Sequence, residues 1–250
     1  MTKSTENNEI KKCLNILKLP TMKKIYKEET AIAVKESYDY PQYLLRLLEQ
    51  ECEDRKLRKI ERLTRESKLP LEKSLLNFDL KIISKKVQIQ FRALLNGDFV
   101  QRKENVLAFG IPGSGKTHLL CALCLELILQ GKKVLYTVCS NLVQELLIAK
   151  RDLKLPQKLK SLGKYEAILI DDIGYVEQSR EEMEVLFTLL ADRYEKSSIL
   201  ITSNLPFSRW DKIFKDPMTT AAVIDRLIHH SMVIELKTNS YRLEHAKNRK

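Results

Sequence analysis

Val106-Leu107-Ala108-Phe109-Gly110-Ile111-Pro112-Gly113-Ser114-Gly115-Lys116-Thr117-His118-Leu119-Leu120 is the stretch that decides the fold. Residues 110–117 fit G-x-x-x-x-G-K-[ST] at every fixed position. Val106–Phe109 before the motif has the apolar character of a short buried strand. The stretch from His118 to Gln130 has the length and composition of a helix, ended by Gly131. Strand, glycine-rich bend and helix in that order form a phosphate cradle. Glycines let backbone N–H groups wrap an anion without side-chain clash, and the helix aims its positive end at the same point. Gly110, Ile111, Pro112, Gly113, Ser114 and Gly115 are therefore expected to line the loop. Lys116 has the reach for β- and γ-phosphates, and the Thr117 hydroxyl is of the type that ligates Mg²⁺.

Downstream, apolar runs recur at Val134–Val138, Ala167–Ile170, Ile199–Thr202 and Met232–Leu236, separated by helix-length periodic stretches. Strands alternating with helices predict an α/β fold, a mainly parallel sheet covered on both faces. The third run ends in Asp171 and Asp172. Ligands of open parallel sheets sit beyond the carboxyl ends of the strands, so both acids should face the phosphates. Asp171 is expected to hold Mg²⁺ and Asp172 to orient or deprotonate an attacking water. The fourth run leads to Asn204, whose amide can hydrogen-bond a γ-phosphate or that water; its strand should lie beside the Asp-bearing one. Arg226 lies in the apolar helical stretch Ala221–Ile228, an expensive place for a cation without a partner. An intrachain acid or a neighbouring subunit's γ-phosphate would satisfy it equally well. His229 and His230 have no ligand-type residues at metal-binding spacing nearby in sequence.

Upstream, the chain reads as mixed-charge helices. Ile10, Leu14 and Leu17 recur at helical spacing up to Pro20, and Met22, Ile25 and Tyr26 begin another run. Asp39, Pro41 and Gln42 look like a capped helix start, followed by Leu44, Leu47, Leu48, Leu57, Ile60 and Leu63 on a helical repeat. Lys68 to Leu80, with Pro70, reads as a linker, and a short helix around Val87, Phe91 and Leu94 stops at Gly97. This predicts a small all-α N-terminal domain over residues 1–70 and an α/β domain over 71–250.

The bulk properties agree. At 250 residues, 44% hydrophobic and 31% charged, the chain is long enough to bury a sizeable core. No apolar run approaches a membrane span, and the polar start at Met1–Lys12 has no secretion-signal core, so a cytoplasmic protein is expected. Net charge is +11, which favours polyanion partners. Five scattered cysteines do not make a disulfide framework; Cys121 and Cys124 lie in the apolar helix after the phosphate loop and read as buried small side chains.

Taken in order, GIPGSGKT, ILIDDIGY, ILITSNLPFSRW, AAVIDRLIHHS and SYRL, with LPTM and YPQYLLRLLEQE upstream, resemble the IstB family, ATPase helpers of insertion-sequence transposases. That family is related to bacterial helicase loaders of the DnaC type. The resemblance spans nearly the whole chain. It implies an AAA+ P-loop NTPase domain with a five-stranded parallel sheet, preceded by a helical domain for assembly and partner contacts. It implies ATP and Mg²⁺ as cofactors, self-assembly into a homo-oligomer on duplex DNA, and recruitment of a cognate transposase; no recognition helix is identifiable in the sequence, so little base specificity is expected. It makes Asp172 the catalytic acid, Asn204 the sensor and Arg226 a finger acting in trans. Two features depart from the wider pattern: many AAA+ proteins carry Glu where this chain has Asp172, and few residues follow Arg226, too few for the usual helical lid, so the sequence does not assign Arg242 a second-sensor role. Candidate phosphate-backbone contacts are Arg102-Lys103, Lys154–Lys164 and the tail after Leu243. A DnaC-like helicase loader, a small-molecule phosphotransferase and a DNA-binding protein using ATP only as an assembly ligand are the rival readings.

Overall fold

The computed structural model describes residues 3–174, 179–210, 221, 224–225 and 227–237. The chain divides into two compact units, residues 1–62 and 63–250. The division falls inside a long helix, earlier than the boundary at residue 70 read from the sequence.

The first unit holds α1 (Lys3–Ile16), α2 (Pro20–Lys35) and most of α3 (Tyr40–Ser67). Pro20 occupies the first turn of α2, where its missing N–H goes unneeded. Asp39 and Gln42 cap each other's backbone N–H groups at 2.8 and 3.0 Å, so the start of α3 is set by a reciprocal side-chain pair. A small core gathers Leu14, Met22, Tyr26 and Leu47. Glu51, buried in α3, accepts from the backbone N–H groups of Thr21 (2.8 Å) and Met22 (3.1 Å) and from Arg55 (2.9 Å). The LPTM and LLEQE segments are thus two halves of one cap across a helix N-terminus. Of the α3 leucines on the helical repeat, Leu47 and Leu63 are buried while Leu44, Leu48 and Leu57 stay exposed.

The second unit contains α4 (Lys85–Leu94), α5 (Asp98–Gln101), β1 (Asn105–Gly110), α6 (Lys116–Leu129), β2 (Val134–Val138), α7 (Cys139–Arg151), α8 (Leu155–Leu162), β3 (Ala167–Ile173), α9 (Arg180–Arg193), β4 (Ser198–Ser203) and β5 (Ser231–Leu236). The strands form one all-parallel sheet in the order β2-β3-β4-β1-β5. β4 therefore lies between β3 and β1, beside the Asp-bearing strand as expected. Ile168 and Ile170 of β3 join a core with Leu142, Leu146, Leu186, Leu189 and Trp210, fed by α7 and α9. Leu169 between them is equally buried and points to the other face, as strand alternation requires. Such two-sided burial explains why the strand sequences are continuous apolar runs. Arg193, at the end of α9, is almost fully buried and donates to the carbonyls of Leu162, Tyr165 and Ser198, each at 3.0 Å. It staples the entry ends of β3 and β4. Among the described residues no helix is long and apolar enough to cross a membrane.

Candidate nucleotide-binding site

β1 delivers the glycine-rich loop at the carboxyl edge of the sheet, and α6 leaves from it. The sequence allows this turn only with glycine: Gly113 and Gly115 have φ of 82° and 94°. A Cβ at Gly110 would stand 2.5 Å from the Leu236 carbonyl oxygen of β5. The leading N–H groups of α6 have no partner within the helix and open onto the loop. Lys116 is buried, and its ammonium donates to the carbonyls of Gly110 (2.8 Å) and Ile111 (2.9 Å), poised over the bend.

Thr117 donates to Asp171 Oδ1 at 2.8 Å, joining the loop to the end of β3. Asp171 is buried and takes two more hydroxyls: Thr202 on Oδ1 (2.5 Å) and Tyr136 on Oδ2 (3.1 Å). Burial, then the Asp171 charge, raises the Tyr136 phenol above its ordinary range, so it stays a donor. Asp172 is exposed, has φ of 60° and lines the cleft. A left-handed non-glycine residue costs about 1–2 kcal/mol, a strain that surrounding bonds must hold. The two acids thus differ in exposure: Asp171 is buried, and Asp172 is exposed at the cleft. Asn204 also lines the cleft, with a buried Oδ1 that has no hydrogen-bond partner.

The cleft has a volume of about 410 Å³, within the usual range for small-molecule sites. One wall is the phosphate loop with Asp172 and Asn204; the other is Lys73, Asn77, Phe78, Asp79 and Ile82. That second wall is the segment read from sequence as a linker. Two 3₁₀ turns, Leu75–Asn77 and Leu80–Ile82, shape it. Phe78 meets the His118 ring edge-on at 5.0 Å, and His118 Nε2 is 2.9 Å from the Ser74 carbonyl. The strap is fastened to the first turn of α6. The Thr117–Asp171 pair, Lys116 and the glycine cradle fit a triphosphate carrying Mg²⁺.

Cys121 and Cys124 are both buried on α6, and burial pushes the Cys121 thiol up to about 12. Arg226, expected to act as a finger, lies outside the described residues, as do Arg242 and the basic tail after Leu243. Arg102 is paired with Glu104 at 2.7 and 3.0 Å, Lys158 with Glu145 at 2.6 Å and Lys154 with Asp152 at 3.8 Å. The candidate DNA-facing cations are thus partly neutralised. Folding also gives His229 and His230 a neighbour that sequence spacing did not: Glu195 lies 3.9 Å from His230 Nε2.

Residues 12–249 match the family model described as IstB-like ATP binding protein. A relative in Sinorhizobium fredii, named as an insertion sequence ATP-binding protein, is 39% identical over 92% of this chain and 77% of its own. Another, named for insertion sequence IS5376 in Geobacillus stearothermophilus, is 37% identical over 91% of this chain and 90% of its own. The crystal structure of DnaI is similar in fold, with a TM-score of 0.57 and 22% identity, covering 68% of this chain and 96% of that one.

Proposed function

Because the chain belongs to the family of IstB-like ATP-binding proteins, we propose that it hydrolyses ATP with Mg²⁺, assembles with copies of itself on duplex DNA, and recruits a transposase to that DNA. The observation that carries the reading is the convergence of Lys116, Thr117, Asp172 and Asn204 on one cleft, with Asp171 bonded to Thr117 behind it. Thr117 and Asp171 would hold Mg²⁺, which would supply charge neutralisation for the triphosphate. Lys116 exchanges its two carbonyl partners for phosphate oxygens. Asp172 takes a proton from the attacking water, and Asn204 orients that water against the γ-phosphate. Arg226 of a neighbouring copy completes the charge stabilisation. Asp172 is one methylene shorter than Glu, which suits slow turnover in a protein that must hold DNA while awaiting its partner. DNA is gripped through phosphates by Lys and Arg, so affinity falls steeply with salt. The helical unit, with Leu44, Leu48 and Leu57 exposed, contacts partners.

The relatives' names support an insertion-sequence role; the DnaI likeness supports the fold. The test is phosphate release by the purified chain with and without duplex DNA, together with pull-down by a cognate transposase. DNA-stimulated release and transposase capture are expected. Release without transposase capture, but with capture of a replicative helicase, would move the protein to the helicase loaders.

A further inference from the structure

Two acids carry the proposed chemistry, and one side chain touches both. Thr202 is fully buried at the end of β4. Its hydroxyl oxygen lies 2.8 Å from the Asp172 backbone N–H and 2.5 Å from Asp171 Oδ1. The direction of both bonds is forced. A backbone amide can only donate, so the Thr202 oxygen accepts there; its single proton must then go to the carboxylate.

The need for this bond lies in the sheet. Ile170 pairs with Ile201 and Ile173 with Ser203, so β3 advances three residues where β4 advances two. The extra residue is a bulge, and it carries Asp171 and Asp172. A bulge leaves a backbone group outside the ladder and re-aims the side chains at it. Here the displaced group is the Asp172 N–H, and Thr202 satisfies it with a side chain. Ser203 fixes the other flank, donating to the Ile173 carbonyl at 2.8 Å. With Asp172 held at φ 60°, the bulge turns its carboxylate into the cleft while Asp171 stays buried.

We infer that Thr202 is a positioning residue: one hydroxyl sets the carboxylate of Asp171 and the backbone of Asp172 as a single unit. This rests on the hydrolytic reading of the cleft. Thr202→Val keeps the shape of the side chain and removes both bonds; Thr202→Ser keeps both. In the full-length chain, kcat for MgATP should fall about 100-fold in Thr202→Val, with KM nearly unchanged and Thr202→Ser recovering most of the rate. In an Asp172→Asn background, Thr202→Val should cost little more, because residues acting as a unit are not additive. A second measurement does not depend on turnover. The Mg²⁺ concentration at which a non-hydrolysable ATP analogue gains half its added affinity should rise about tenfold, as it does when a partner of a metal ligand is lost. Should the Val variant fail to fold in a thermal melt, Thr202→Ala against Thr202→Ser makes the same comparison. An unchanged rate and Mg²⁺ midpoint in a folded variant overturns the assignment, as does a loss fully additive with Asp172→Asn. If the unsubstituted chain does not turn over MgATP, the hydrolytic reading fails, and the Mg²⁺ midpoint alone decides whether Thr202 positions Asp171.

Discussion

Replacing Arg193 with Met asks whether a buried cation without a carboxylate partner stabilises this fold. The guanidinium makes three 3.0 Å bonds to carbonyls at the entry ends of β3 and β4. Bonds from a charged donor contribute about 1.5–3 kcal/mol each in ordinary sites, so the three sum to roughly 5–9 kcal/mol before the extra cost of this deep burial. Against it stands desolvation. Burial pulls the Arg193 pKa from 12.5 to about 10, equivalent to about 3 kcal/mol, and its Nε has no partner. The side chain is still charged at neutral pH, and the net contribution is about 2–6 kcal/mol. Arg193→Met should therefore lower the melting temperature by roughly 5–15 °C in a domain of this size. Calorimetry on the full chain measures it. A Met variant that melts at or above the parent refutes the reasoning, because desolvation would then outweigh the three bonds.

Gly115→Ala would force a side chain onto φ 94° and bring its Cβ within 3.0 Å of the Phe78 ring. ATP-analogue affinity by titration calorimetry should fall at least about tenfold, since the strain alone is worth about 1–2 kcal/mol; full affinity would remove the strap from the site. Burial pushes the Glu51 carboxyl up, but the Met22 N–H, Arg55 and the Thr21 N–H outweigh it and hold the group below its usual value. Its stabilisation is present above about pH 4.3 and lost as pH falls through the lower folded value. Hydrogen-exchange protection of residues 20–26, corrected for intrinsic rates, should show that acid loss in the parent and not in Glu51→Gln. Cys13 and Cys52 are exposed whereas Cys121, Cys124 and Cys139 are buried, so a thiol reagent at neutral pH should label the first pair alone. Mass spectrometry of the labelled peptides checks this, and early labelling of Cys121 would contradict the packing of α6.

Much of the α/β unit was legible because its signals are local. The five apolar runs became the five strands, and the loop at 110–117 declares itself by glycines that no other residue can replace there. Asp171, Asp172 and Asn204 were readable as strand-end residues because parallel strands bring their carboxyl ends together. Thr202 and Tyr136 were not: a hydroxyl in an apolar strand reads as an ordinary strand former, and the bulge that gives Thr202 its partner is a difference in register between two strands. Phe78 was missed for another reason. Its segment forms only 3₁₀ turns, too short to show a period, and Pro70 gives it the look of a linker. Arg193 resembles any surface cation at a helix end until the sheet closes over it.

The placement of β1 has a consequence for synthesis of the chain. β1 is first of the strands in sequence, yet its neighbours in the sheet are β4 and β5, the last two. Val106 waits for Leu200 on one side and Met232 on the other. While the polypeptide grows, the strand bearing the phosphate loop has exposed edges and no ladder, a state open to pairing with foreign strands. Nucleotide therefore has nothing firm to grasp on a nascent fragment, and the loop becomes competent only after β4 and β5 have been made and have paired with β1.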